Sequence, residues 1–294
     1  MRPRHAAAVL SALLASASPA AAHAPFLAPE SFTVSRDWVT VTAGMHEETP
    51  LTPDFALRAP GDLEETGPDG RTVKVEGVVQ LKGLTAADVP LPAPGLYRIS
   101  TGARVARQAT WAQVAGVWRP IRPARPGAEG AAGGPAGGVH AAPAGHREAG
   151  EGPAPLEAAP PGAPTAQTTA YLRADTYVVR GASTKAVPRP DGRGLEFAPG
   201  ADPSAVYLDA GLPLTLLLNG RPVPGAAVLV RRADGPYAER KVNFGATTDA
   251  EGRVRITFPI AGAYVIEAQT APSPPGARPP ARTYLSTLTL EATP

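Results

Sequence analysis

From Phe32 to about Trp118 apolar and polar residues alternate with a period of two, and this alternation constrains the fold more than any other feature. Trp38-Val39-Thr40-Val41-Thr42, Val73-Lys74-Val75-Glu76 and Leu96-Tyr97-Arg98-Ile99 each present one apolar and one polar face when extended. Turn signals separate them: Pro50 to Pro53, Gly67-Pro68-Asp69-Gly70 and Pro90 to Gly95. Short strands punctuated every ~8–12 residues predict an antiparallel sandwich. Within this block, Thr85-Ala86-Ala87-Asp88 reads as a short helical turn.

The pattern resumes at Ala170-Tyr171-Leu172 and runs to Val179. Leu212 to Leu218, Asn219-Gly220 and Ala226 to Val230 then read as a strand, a turn tolerant of positive φ, and a return strand. Pro222 and Pro224 suggest a connection looser than a two-residue hairpin. Thr247 to Gly252 is a further turn, followed by the alternating Arg253 to Phe258, and Tyr284 to Leu290 closes the sheet. Each block carries one copy of a G-x-Y-x-I pattern, Gly95 to Ile99 and Gly262 to Ile266. In Ig-like sandwiches a tyrosine beginning a late strand anchors a corner through its hydroxyl.

Between the blocks, from Arg119 to Ala170, there is no aromatic residue and little beyond Ala, Gly and Pro. The 36 prolines and 31 glycines of the 294-residue chain are thus unevenly spread, and the large apolar side chains lie almost entirely outside this stretch. Such a composition buries too little apolar area to offset chain entropy. The expected architecture is all-β: two Ig-like antiparallel β-sandwich modules, residues 23–118 and 170–294, joined by a disordered Ala/Gly/Pro-rich segment over residues 119–169.

Residues 1–22 read as a secretory signal peptide. Arg2, Arg4 and His5 form the positive start, Ala6 to Ala17 the apolar stretch, and Ala20-Ala21-Ala22 the cleavage site. A cut after Ala22 starts the mature chain at His23; a cut after Ala24 would put Pro25 first, which is poorly processed. Loss of Arg2 and Arg4 brings the 28 basic side chains level with the 26 acidic ones. With no basic cluster elsewhere, a nucleic-acid partner has nothing to hold it. No apolar run reaches the ~18 residues of a spanning helix. The chain has no cysteine, which excludes disulfides, thiolate metal sites, thiol nucleophiles and a lipid anchor. The expected location is the periplasm or the exterior.

Catalytic templates fail in turn: there is no G-x-S-x-G elbow, P-loop or H-E-x-x-H motif. The paired carboxylates Glu64-Glu65 and Glu47-Glu48 are adjacent, so on a strand they point to opposite faces. The chain is therefore not expected to be an enzyme. What remains is His23. At a free N-terminus it offers the α-amine and its imidazole Nδ1, and a second imidazole completes the three-nitrogen histidine brace, which suits Cu(II) and also Ni(II). His46, in Ala43-Gly44-Met45-His46-Glu47-Glu48, is the other histidine of the N-terminal block. The metal set read from the sequence is His23 and His46, with Glu47 or water as a weak further position. The bland readings stand beside it: His23 as a frayed terminus, His46 as a solvated turn residue and Met45 as a core plug. His140 and His146 fall in the Ala/Gly/Pro segment and read as incidental, with metal relay as the alternative. Arg231 and Arg232, ahead of Tyr237, read as solvated loop residues.

The pattern resembles the domain of unknown function 4198 family, whose members are exported proteins often labelled periplasmic components of cobalt or nickel uptake systems. The features that carry the resemblance are Ala22-His23-Ala24 with Phe26, Trp38 to Val41, Gly95 to Ile99 and a C-terminal set. That set comprises Gly194 to Phe197, Leu216 to Pro222, Thr248 to Arg253 and Ala261 to Tyr264. The resemblance implies an Ig-like, metal-handling periplasmic protein with His23 as ligand. The expected function is binding of a divalent transition metal (Ni, Co or Cu) as accessory to uptake or homeostasis, with a membrane metal transporter as partner. The alternatives are a non-catalytic Ig-like protein- or glycan-binding module, in which His23 is idle, and a redox enzyme using a brace copper.

Overall fold

The computed structural model describes residues 23–57, 63–122, 153–183, 186–235, 237–271 and 273–294. The chain is all-β, with no helix among the described residues. The proposed signal peptide, His140 and His146 lie outside the described residues.

The principal strands, numbered in chain order, are β1 (Ala24–Pro29), β2 (Trp38–His46), β3 (Thr85–Pro90), β4 (Gly95–Ser100), β5 (Arg104–Val114), β6 (Thr165–Arg180), β7 (Leu195–Pro199), β8 (Leu212–Leu218), β9 (Ala227–Arg232), β10 (Gly262–Gln269) and β11 (Arg282–Thr293). A large central sheet runs from 243–247 through β9, β10, β11, β6 and β4 to 64–66 and 72–74. A smaller sheet of β1, β2, β3 and 79–80 forms the N-terminal cover, and β7, β8, 221–222 and 253–256 form the C-terminal one.

Alternation explains why there are two cores and how they meet. On β6, Ala174 and Val178 enter the N-terminal core beside Val39, Val41 and Leu27, whereas Tyr177 and Val179 enter the C-terminal core beside Phe197 and Leu216. The same split occurs on β4, where Tyr97 and Ile99 face one core and Leu96 the other. Successive side chains of a strand point to opposite faces, so a strand shared by two cores is buried on both. All six residues of β4 are accordingly buried.

The Ala/Gly/Pro stretch is ordered at both ends. Val117–Pro120 is a strand paired with β5, and β6 begins at Thr165 and pairs with β5 from Thr165 onward. Ile121 bridges Leu156, Arg122 N–H donates to Leu156 C=O at 2.7 Å, and Leu156 N–H donates to Pro120 C=O at 2.8 Å. Ile121, Arg122 and Leu156 therefore stand side by side at one point of the fold. The continuity between the blocks comes from β6, which pairs with β4 and β5 on one edge and β11 on the other.

Three local expectations need correction. Thr85-Ala86-Ala87-Asp88 is not a helical turn but the start of β3, whose Ala87 and Val89 are buried and which pairs with β2. Leu218-Asn219-Gly220-Arg221 is a tight two-residue hairpin after all, with Asn219 at φ 50° and Gly220 at φ 76°. The following strand, β9, pairs with β10 in the central sheet rather than returning along β8. Finally, β6 and β11 are parallel over eight paired residues, Thr169↔Arg282 to Thr176↔Thr289. Parallel neighbours need a long crossover, and the C-terminal cover sheet is built within it.

The two G-x-Y copies fold alike. Tyr97 Oη donates to Ala93 C=O at 2.7 Å and accepts from Ala93 N–H at 2.8 Å, and Tyr264 Oη donates to Ile260 C=O at 2.6 Å. Gly95 and Gly262 take the same left-handed φ, 139° and 142°, which an L side chain rarely adopts. These are the two tyrosine corners that the sequence echo predicts.

Candidate functional site

His23 immediately precedes β1, and β1 is pinned from its first residue. Ala24, Phe26 and Leu27 are fully buried, and Ala24 pairs with His46 across the β1–β2 ladder. Phe26 needs the gap left by Gly44 opposite it: a Cβ on Gly44 would stand 2.9 Å from the Phe26 ring and 2.7 Å from Pro53 Cβ. Thr287 on β11 donates its hydroxyl to Pro25 C=O at 2.7 Å, fastening β1 to the central sheet. The first strand thus carries His23 to a fixed point at the seam between the N-terminal cover and the central sheet.

His46 ends β2 and is completely buried. It is not the solvated turn residue of the bland reading. The rim is formed by the segment that follows: Glu47 N–H donates to Asp54 Oδ2 at 2.8 Å, and Phe55, paired with Met45, sets its ring 4.8 Å from that of His23. Met45 is packed into the N-terminal core, as the bland reading of that residue has it. Cross-strand from the His23 position stands Glu47, with its Oε2 3.4 Å from His23 Nε2. His23 and Glu47 remain partly exposed, at 40% and 48% of their side-chain surface, so the site has a wet mouth and a dry floor.

The floor is completed from the other block. Glu267 on β10 places Oε1 3.6 Å from His46 Nε2, and Arg231 on β9 donates to the same Oε1 at 2.7 Å. Arg231 also donates to the Glu47 main-chain carbonyl at 2.6 Å. Arg231 is 8% exposed and lies in a strand, so the expectation of a solvated loop arginine is overturned. Burial foremost, then the charges of Arg231 and His23, lowers the His46 pKa to about 4. His46 is therefore a neutral imidazole at ordinary pH. Burial pushes the Glu267 carboxyl up, and Arg231 opposes the rise.

Neither ring nitrogen of His46 has a hydrogen-bond partner. Buried polar groups are bonded in the large majority of cases, and an orphan calls for an explanation such as an ion. Among the described residues no group of three or more His, Asp or Glu side chains is arranged to hold a metal ion. A brace differs from such a group because one of its three nitrogens is the main-chain amine of His23, which exists only after a cut behind Ala22. The register sets Ala24, not His23, opposite His46, so what bears on that donor chemistry is a single buried imidazole with no bond of its own.

Sequence reasoning missed Arg231 and Glu267. A faint signal existed for the second, a lone charge inside the apolar run Tyr264-Val265-Ile266-Glu267-Ala268. Nothing local tied either residue to His46, about 200 positions away.

Fold and site together define an all-β protein of two cores on a shared central sheet, with one fully buried histidine, His46, and a half-exposed one, His23, just ahead of β1. Its sequence matches the model of the family described as Domain of unknown function (DUF4198) over residues 20–271, and the chain belongs to that family. No curated protein sequence matches it. Among solved structures, the D0-D1 domain of intimin aligns over 90% of this chain and 96% of that one, at 10% identity and a TM-score of 0.21. That superposition is too poor to bear on function, and the fold assignment rests on the strands and corners above. No helix among the described residues is long and apolar enough to cross a membrane.

Proposed function

We propose that the mature chain, cut after Ala22, binds a divalent transition metal (Ni, Co or Cu) as an exported accessory to metal uptake or homeostasis. His23 supplies its amine and imidazole, His46 the third nitrogen, and Glu47 stands beside the open mouth. The observation that carries the reading is the fully buried His46 with both ring nitrogens unbonded, paired across the ladder from the residue that follows His23. The metal is cargo in this reading, taken up in the periplasm and presented to a membrane transporter, and no reaction is assigned to the protein. The wet mouth suits that role, because a bound ion stays reachable from one side while the dry floor sets its donors.

The test is a copper and nickel titration of protein with its native N-terminus, against the same protein carrying one extra N-terminal Met. The extra residue turns the His23 amine into an amide and leaves every side chain in place. The native protein should bind at least a hundredfold more tightly than the extended one. Equal behaviour of the two would sink the reading and leave an Ig-like protein- or glycan-binding module as the better account.

A further inference from the structure

We propose that Glu65 and Asp69 form a proton-operated latch on the edge of the central sheet. The hairpin of residues 64–74 docks on β4 while the Glu65 carboxyl holds a proton, and comes away as the proton leaves. This device is independent of the metal-binding reading. It starts from a three-residue strand, 64–66, whose middle residue is a glutamate only 4% exposed. Glu65 pairs with Ile99 of β4 on one edge and with Val73 on the other. Residues directly opposite in a ladder share a face. Glu65 therefore stands with Ile99 and Tyr97 on the side of the N-terminal core, which Leu63 and Val75 also enter. Glu64, its neighbour in the chain, faces the other way and lies opposite Lys74.

The Glu65 carboxylate lacks a partner. Among the described residues it makes no hydrogen bond and no ion pair. The charged group that acts on it is a second carboxylate, Asp69, in the turn that closes the hairpin. The two converge beside Gly67. A Cβ there would stand 3.1 Å from Asp69 Oδ1, 3.6 Å from Glu65 Oε1 and 3.4 Å from the Tyr97 ring. Asp69 is fixed in place, since its Oδ1 accepts from Arg71 N–H at 3.0 Å. Tyr97 brings no opposite charge, and its hydroxyl is spent on Ala93. Arg180, the cation whose charge reaches Tyr97, donates to Leu91 C=O and Pro92 C=O, both at 2.7 Å. Burial foremost, then the charge of Asp69, pushes the Glu65 carboxyl up to about 7.

A carboxyl raised in this way stabilises the docked state fully below its ordinary value of 4.5, and that contribution is lost as pH rises through about 7. The hairpin is the part that yields. Its two strands are three residues long, and the outer one, 72–74, is exposed at every residue. It forms the end of the central sheet, whereas β4 is buried along its whole length and stays. Release of the hairpin bares the edge of β4 from Arg98 to Ser100, a row of main-chain donors and acceptors open to another strand.

The experiment follows amide hydrogen exchange in the mature protein, as protection factors, from pH 5 to 8. Protection of the amides between 64–66 and β4 should fall about fiftyfold over that range, while Val265 and Ile266 of β10 keep theirs. Carbon-13 NMR of the Glu65 carboxyl should show a midpoint near 7. Glu65→Gln, neutral at every pH and of the same length, should hold the hairpin at pH 8 as firmly as at pH 5. Asp69→Asn keeps an acceptor for Arg71 N–H but drops the charge, and should shrink the fall severalfold. A Glu65 carboxyl that titrates near 4.5, or a fall in protection that Glu65→Gln shares, overturns the latch. So does an equal fall at Val265 and Ile266, which marks unfolding of the whole chain rather than release of one hairpin. If Glu65→Gln does not fold, Asp69→Asn decides, and an undiminished fall in that variant overturns the role of the carboxylate pair.

Discussion

Two buried charged clusters sit in this molecule, and they differ in how completely they close. In the first, Arg98, Arg173, Asp175 and Glu196 meet between the central sheet and the C-terminal cover. Arg98 reaches Asp175 at 3.1 Å and Glu196 at 3.2 Å, and Arg173 reaches Asp175 at 2.8 Å and Asp191 at 3.0 Å. Glu196 is further held by the main-chain N–H groups of Asp191 and Gly192. Every charge there has an opposite charge in contact, and only single atoms, Arg98 Nε and Asp175 Oδ1, are left over. In the second, around His46, Arg231 pairs with Glu267 but keeps its Nε unbonded, and the histidine bonds to nothing. A closed cluster has no capacity left for a ligand. An open one holds a donor that burial has made costly to leave idle.

The comparison breaks most visibly if Asp175 is replaced. Asp175→Asn should destabilise the protein by about 3–5 kcal/mol in urea unfolding, because it leaves buried arginine charge short of a partner. It should leave Cu(II) affinity at the His23 site unchanged. A large loss of metal binding in that variant, at a pH where it is folded, would show that the two clusters are not independent.

Acid separates them next. His46, with its pKa lowered to about 4, binds a proton more weakly folded than unfolded. It therefore contributes stability that is complete above the unfolded value near 6.5 and is lost as pH falls toward 4, about 3 kcal/mol in all. His46→Leu, which cannot charge, should gain on the native protein by that amount between pH 6.5 and 4, read from urea midpoints. For Asp175 burial works to raise the pKa, but Arg173 and Arg98 outweigh it and hold the carboxyl down to about 2. Its stabilisation should persist to pH 4 and fade only between about 4 and 2. Coincident acid transitions in native protein and His46→Leu would contradict the dry, unbonded histidine.

The smallest effects belong to the tyrosine corners. Tyr97→Phe removes two hydrogen bonds and Tyr264→Phe one, so the first should cost about 1–2 kcal/mol and the second about 1 kcal/mol. Neither change should touch metal affinity.

Much of this architecture is legible locally and some of it is not. Both strand-rich blocks show in the alternation, and the echo of Gly95 to Ile99 in Gly262 to Ile266 becomes a repeated corner with matching glycine φ. The shared sheet does not show, because alternation along Ala174 to Val179 reads the same whether its second face meets water or another core. The early part of β6, Thr165 to Thr169, reads as the end of the linker from its composition; in the fold its side chains are exposed or half-buried, and composition alone does not tell such a strand from coil. At the candidate site, His23, His46 and Glu47 are legible in the sequence as potential donors at or next to strand ends. Arg231 and Glu267 are not, since their approach to His46 depends on how β9 and β10 cross to the central sheet.

The bridge from Ile121 to Leu156 has a consequence for how this chain tolerates change. Ile121 and Leu156 are far apart in the sequence yet bonded to each other, and the register of β5 on β6, from Arg104↔Leu172 to Ala112↔Thr165, is set by its own ladder. A change of chain length between the bridged residues therefore has no ladder of its own to shift.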